Sequence, residues 1–172
     1  MSFVQLLRAA TASDHDAVDA SFGSFALDDA AGYRRFLRAH GRALPAVEAA
    51  LADRTGDALP DWRPRTPALA GDLAALGEDL PAPLVFAAAG EAERWGALYV
   101  IEGSRLGGQL LARSVPAGLP SAYLSARHLA GEWRALLAAL DARAAAAGEA
   151  WRQAALAGAR ATFALYARAA AV

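Results

Sequence analysis

Apolar residues recur at intervals of three and four along nearly the whole chain, and strict alternation is missing, so the spacing predicts an all-α fold. The pattern is clearest at the start, where Val4, Leu7, Thr11, His15, Val18 and Phe22 fall on one helix face. Ser2 is placed to cap this first helix, which the stripe carries to about Phe22. Asp28 or Asp29 opens a second helix with Tyr33, Phe36, Leu37 and Leu44 on its inner side. Pro45 is expected to bend or restart it, with residues 47–51 continuing. A loop over 55–67 holds Gly56, Pro60, Pro64 and Pro67, and Thr66 with Pro67 reads as the cap and first turn of a short helix ending at Leu76. Pro81 and Pro83 punctuate the next connection, before a long helix over about 91–114. After a turn at Pro120 and Ser121, two more helices are expected over about 126–143 and 148–170. No repeat and no linker divides the chain, so residues 1–172 are expected to form a single multi-helix domain.

The charge balance narrows the partners. Seventeen basic residues, all arginine, face 18 acidic ones for a net −1, which leaves no field to draw in nucleic acid or an anionic membrane. The absence of cysteine excludes disulfides, thiolate ligands and thiol nucleophiles, and points to the cytoplasm. No basic segment leads into an apolar run at the N-terminus, and no apolar stretch is long enough to span a bilayer.

Two features carry chemistry. The first is His15, whose place in the stripe points it toward the core while Asp14, Asp16 and Asp19 point away. A buried imidazole needs a partner, because leaving it unsatisfied costs about 1–3 kcal/mol. That partner is either a backbone carbonyl or hydroxyl, or a metal. The second feature is a glycine-broken helix, in which Gly96, Gly103, Gly107 and Gly108 interrupt an otherwise apolar helical pattern. Each helix-interior glycine costs about 0.8–1 kcal/mol relative to alanine, so four cost roughly 3–4 kcal/mol out of a typical stability of about 5–15 kcal/mol. In a chain this rich in alanine, such a cost calls for a reason. A glycine face admits either something flat and bulky or the close packing of another helix, and spacing leaves both open.

Taken together, Leu7-Arg8-x-x-Thr11-x-x-x-His15 and Leu98-Tyr99-Val100-Ile101-Glu102-Gly103-Ser104-Arg105-Leu106-Gly107-Gly108-Gln109 resemble the haem oxygenases, in particular the bacterial branch often found beside bacteriophytochromes. The likeness covers most of the chain, and its second motif is the more specific. It implies a haem held between a proximal helix and a kinked distal helix, with His15 as the axial ligand to the iron. It also implies that Gly103, Gly107 and Gly108 belong to the distal helix, with the Gly103 and Gly107 backbone over the reacting face of the haem. Arg8, seven positions before His15, stands where the family pairs a haem propionate. Arg134 is the nearest match to a second such residue from the penultimate helix, and Phe163 to an aromatic residue lining the pocket. Many members carry an aspartate just after the first distal glycine; here it is Ser104, a pattern shared by other bacterial members.

The activity so implied is conversion of haem to biliverdin, iron and carbon monoxide, with haem both substrate and cofactor. Gly103, Ser104 and Gly107 would shape a close, polar distal side. Electrons must come from an external ferredoxin or reductase, since the chain has neither a dinucleotide fingerprint nor cysteines for an iron–sulfur cluster. A bacteriophytochrome is a candidate acceptor of the product. The alternative is a non-catalytic haem carrier or sensor of the same fold. Among the remaining candidates, His40 and His128 read as surface residues and Glu102 as a brace for Arg105 or a solvated charge. Tyr99 reads as rim or core, and Trp62, Trp95, Trp133 and Trp151 as packing residues.

Overall fold

Eight helices and one 3₁₀ turn make up the computed structural model, which describes residues 1–53, 59–88 and 90–171 and has no strand among them. In order they are α1 (Phe3–Ala10), α2 (Ala12–Phe22), α3 (Ala30–Ala52), α4 (Thr66–Ala75), α5 (Glu91–Leu111), a 3₁₀ turn (Ala112–Ser114), α6 (Ala122–Ser125), α7 (Glu132–Ala147) and α8 (Glu149–Ala170). Gly56, in the expected loop over 55–67, lies outside the described residues.

Local chemistry sets several of the boundaries. Ser2 forms the expected cap: its hydroxyl accepts from the Gln5 N–H (3.2 Å) and the Gln5 side chain accepts from the Ser2 N–H (2.9 Å). Asp29, not Asp28, caps α3 by accepting from the Ala31 and Gly32 N–H groups at 2.8 Å each. The first expected helix is two, parted at Thr11, which leaves helical geometry at φ −108°, ψ 7° and donates its hydroxyl to the Leu7 carbonyl at 2.8 Å. α3 passes through Pro45 without restarting. Near that proline the Arg42 carbonyl accepts from the Leu84 N–H at 2.7 Å, a bond supplied from outside the helix.

Two helices are capped by distant carboxylates, which no local pattern announces. The residue before α4 is Arg65, not Thr66, and the buried Glu48 carboxylate of α3 accepts from the N–H groups of Arg65 (2.6 Å) and Thr66 (3.1 Å). Asp72 of α4 does the same for the short α6, which the sequence did not predict, accepting from Ala122 (3.1 Å) and Tyr123 (2.8 Å). α7 starts at Glu132, later than expected, after Gly131 at φ +84°; Gly148 at φ +87° separates it from α8.

α8 is the central member, packing on α5, α2 and α3. Its crossing with α5 is a backbone-to-backbone approach at two glycines. A Cβ on Gly96 would lie 1.9 Å from the Ala155 carbonyl oxygen, and one on Gly158 would lie 2.1 Å from that of Glu93. Beyond the crossing, the Glu91 carboxylate gathers four donors: Arg143 Nε (2.8 Å) and Nη2 (2.7 Å), Trp95 Nε1 (3.1 Å) and Trp151 Nε1 (3.2 Å). Those bonds hold α5, α7 and α8 together and keep the Glu91 carboxyl below its ordinary pKa. Phe3 and Leu7 near one end of the chain and Leu165 and Ala169 near the other enter the same core.

The crossing makes a direct prediction. Gly96→Ala places a methyl against a carbonyl that cannot yield without moving α8, so it should destabilise by at least the roughly 1–3 kcal/mol of an overpacked core. Gly107→Ala meets nothing within 4 Å and should be neutral or gain up to about 1 kcal/mol of helix propensity. Thermal or urea unfolding of the two variants distinguishes them.

Candidate functional site

His15 stands on α2 with its side chain 60% exposed, so the stripe does not bury it as expected. Leu7, Thr11 and Phe22 on the same stripe are buried, whereas at the level of His15 the neighbouring helix α8 reaches the ring without covering it. Its ring meets the edge of Phe163 on α8, with centroids 5.9 Å apart and planes at 73°. Its Nδ1 lies 3.2 Å from the Asp19 carboxylate, one helical turn on. Asp19 therefore does not point away. The contact favours a proton on Nδ1 and leaves Nε2 as the nitrogen able to bind a metal. The i, i+4 spacing of a histidine and an aspartate was the available signal for this pair.

The four glycines lie inside one continuous helix, not at a break in it, and they divide between the two readings. Gly96 serves the crossing with α8, and Gly108 faces α6, where a Cβ would lie 3.2 Å from the Leu124 carbonyl oxygen. Gly103 and Gly107 lie further along the face that begins with Gly96. Beside Gly103 lies the Trp133 ring, 3.3 Å from where a Cβ would sit, and around Gly107 there is open space. Trp133 stacks on Tyr99 of α5 (centroids 5.9 Å apart) and on His128 (5.5 Å). Leu106 and Leu110 are exposed beside Gly107. α2 and α5 both pack on α8 and make little contact with each other.

Ser104 is exposed, yet its hydroxyl is engaged. Its hydroxyl donates to the Ile101 carbonyl at 2.7 Å and accepts from Arg65 Nη2 at 2.8 Å. Next to it, Glu102 braces Arg105 as the first of its two readings held: both carboxylate oxygens accept from Arg105 Nε, at 3.0 and 2.9 Å, and both residues are buried. Arg105 Nη2 also donates to the Arg63 carbonyl. His128 is not a surface residue; its Nε2 lies 3.3 Å from Glu102, and burial pushes its pKa down. Sequence reasoning missed Arg65 altogether.

His40 is likewise enclosed, not superficial. Phe22, Phe36, Tyr123 and Tyr166 surround its ring at centroid distances of 4.6, 4.4, 5.2 and 5.5 Å. Its Nδ1 lies 2.6 Å from the Tyr123 hydroxyl. Desolvation, helped by the Arg65 charge, lowers its pKa to about 3, so it stays neutral and is a core residue. Arg8 is exposed, makes no hydrogen bond or ion pair among the described residues, and its charge reaches Tyr99 on α5. Arg134 is exposed on α7, and nothing in the structure joins it to Arg8 or His15. Trp95 is buried, and Trp62, Trp133 and Trp151 pack against the core. Among the described residues, no group of three or more His, Cys, Asp or Glu side chains forms a metal cluster.

No family model matches the chain. A relative named haem oxygenase, from Xanthomonas campestris pv. campestris (strain 8004), is 40% identical over 145 residues, spanning 79% of this chain and 87% of that one. Among solved structures, a haem oxygenase from Neisseria meningitidis, crystallised with NO and with CO, superposes with a TM-score of 0.83 at 26% identity. That match covers 99% of this chain and 90% of the other.

The neutral His40 predicts a pH dependence. Its folded pKa, about 3, lies below the unfolded value of 6.5, so the unfolded chain binds more protons between those limits. The stabilisation is complete above pH 6.5 and is lost as pH falls from there toward 3. Between pH 6.5 and 5 the loss should be about 2 kcal/mol. Urea unfolding at both pH values checks this, and His40→Gln should flatten the difference.

Proposed function

The chain belongs to the haem oxygenase family, and on that premise we propose that it opens haem to biliverdin with release of iron and carbon monoxide, using His15 as the axial ligand. The carrying observation is the exposed imidazole of His15, with Nδ1 at Asp19 and its ring in T-shaped contact with Phe163. This donor set suits haem, which needs a single neutral nitrogen, better than a bare cation, which needs several ligands. The bound haem supplies the iron that activates oxygen and the ring that is opened.

The protein's residues have separable tasks. Asp19 holds the proton on Nδ1 and leaves Nε2 to face the iron. Phe163 limits the tilt of the imidazole from the α8 side. Arg8 is available to pair a propionate, since among the described residues no carboxylate takes its charge and it lies toward Tyr99. Arg134 is the second candidate for that role. Gly107, open on its helix face, lets a flat ligand approach the α5 backbone, and Gly103 contributes where Trp133 leaves room. Two expected roles change. Gly108 packs on α6 and supports the helix from behind, and the Ser104 hydroxyl is held by Arg65 and the Ile101 carbonyl, which leaves it less available to order water. No observation favours the carrier or sensor reading over turnover.

Residues 1–172 would act as one unit, a reading supported by the joint contribution of both chain ends to the core. An external ferredoxin or reductase would supply electrons, and a biliverdin acceptor such as a bacteriophytochrome would take the product. Among the described residues no helix is long and apolar enough to cross a membrane, which accords with the proposed cytoplasmic location.

Haemin added to the purified protein should give a sharp Soret band that is lost when reductant is added in air, as biliverdin forms. His15→Ala should abolish tight binding while leaving the melting temperature unchanged, because the side chain is 60% exposed. An unaltered Soret band and turnover in that variant would refute the assignment. Gly107→Leu separates ligand admission from packing. Its side chain enters open space, so it should fold normally yet lower haem affinity or conversion by about tenfold or more.

A further inference from the structure

Arg65 is 4% exposed, and among the described residues no carboxylate forms an ion pair with its guanidinium. Burying a cation without an opposite charge is costly, so the groups it meets are the reason for its presence. They are few and specific. Nη2 donates to the Ile101 carbonyl at 2.5 Å and to the Ser104 hydroxyl at 2.8 Å, both on α5. The guanidinium carbon lies 5.3 Å from the centre of the Tyr123 ring, and Nε has no hydrogen-bond partner. The backbone of Arg65 is itself fixed, because its N–H donates to the buried Glu48 of α3 at 2.6 Å.

These contacts converge on one turn of α5. Ile101, Ser104 and Arg105 all bond to residues 63–65: the first two to the Arg65 side chain and the third to the Arg63 carbonyl. Gly103 lies within that turn. Glycine brings no side chain with which to lock a helix to its surroundings, and the next glycine, Gly107, has open space around it. The position of this stretch of backbone is therefore set by what its remaining residues bond to, together with Trp133 beside Gly103 and Leu124 against Gly108. A charged donor on a backbone carbonyl and a hydroxyl is stronger and more directional than a neutral one, and here its bond to the Ile101 carbonyl is buried.

We propose that Arg65 is a positioning residue for the haem oxygenase reaction, clamping the Ile101–Arg105 turn so that the backbone at Gly103 and Gly107 is held at one place against the haem. The proposal rests on the functional reading above. Its consequence is local rigidity: loosening the clamp frees the glycine stretch without touching His15 or Arg8.

Three variants and two kinds of measurement test it. In the ligand-free protein, hydrogen exchange of the amides at 103–108 should quicken by about tenfold or more in Arg65→Met, and by about threefold in Ser104→Ala. With haemin, both variants should keep affinity within about threefold, since binding is set by His15. Turnover per bound haem should fall by about tenfold in Arg65→Met, and biliverdin isomers should become mixed. Arg65→Lys, which keeps the charge and a donor, should recover part of both effects. Unchanged exchange at 103–108 with an unchanged isomer distribution in the folded variants overturns the proposal. If Arg65→Met fails to fold, Ser104→Ala decides on the same criteria. Failure of the wild-type protein to bind haemin would overturn the functional reading instead, while the exchange data on ligand-free protein would still judge the clamp.

Discussion

The approach of α5 to α8 at Gly96 and Gly158 is the contact on which the remaining architecture depends. There the two backbones come close enough that a methyl on either glycine would overlap a carbonyl of the other helix. This brings α5 onto the helix that also carries Phe163 and supports α2. The elements bearing His15 and Gly107 are thus referred to a common central helix, and their relative placement is inherited from it. The Glu91 carboxylate, with its two tryptophan donors and one arginine, secures the same junction at its edge and ties in α7. Apolar burial supplies most of the stability of such a junction, while the glycines decide how near the helices come.

Along α5, one residue type serves opposite purposes within about three turns. Gly96 is closed over by another helix, Gly108 by the carbonyl of Leu124, and Gly107 by nothing. The helix is consequently dense at its start and open toward its end. Where it opens, buried polar groups replace apolar packing as the means of holding it: Arg65 on Ile101 and Ser104, Arg105 between Glu102 and the Arg63 carbonyl, and His128 against Glu102. Directional polar contacts of this kind specify a position more sharply than a sliding apolar contact does. That matters for an oxygenase, whose product depends on which edge of a ring is presented.

The histidines show how far periodicity reaches. All three are helix or helix-flanking residues, yet His15 is exposed, His40 is enclosed by four aromatic rings, and His128 lies against Glu102. Periodicity reports which side of its own helix a residue occupies, not whether another helix covers that side. His15 lost its expected cover because Phe163 meets its ring without enclosing it, and His40 gained an unexpected one from α6 and α8, the latter lying far along the chain. The pairing of His15 with Asp19, by contrast, was open to view in the i, i+4 spacing and needed only the side-chain rotamers to be seen.

The sequence by itself determined the all-α class and the limits of the helices α3, α4 and α8, and its two motifs carried the resemblance that pointed to haem. The boundaries follow from interactions within a few positions of one another, such as the Ser2 and Asp29 caps, the glycine at 148, and the spacing of apolar side chains. The tertiary structure alone decided which glycines pack and which stay open, that Glu48 and Asp72 cap helices far from themselves, and that Arg65 reaches α5. Each of those outcomes joins residues distant along the chain. Such a contact has no local signature, because its energy is realised only after the helices that carry its two ends have come together.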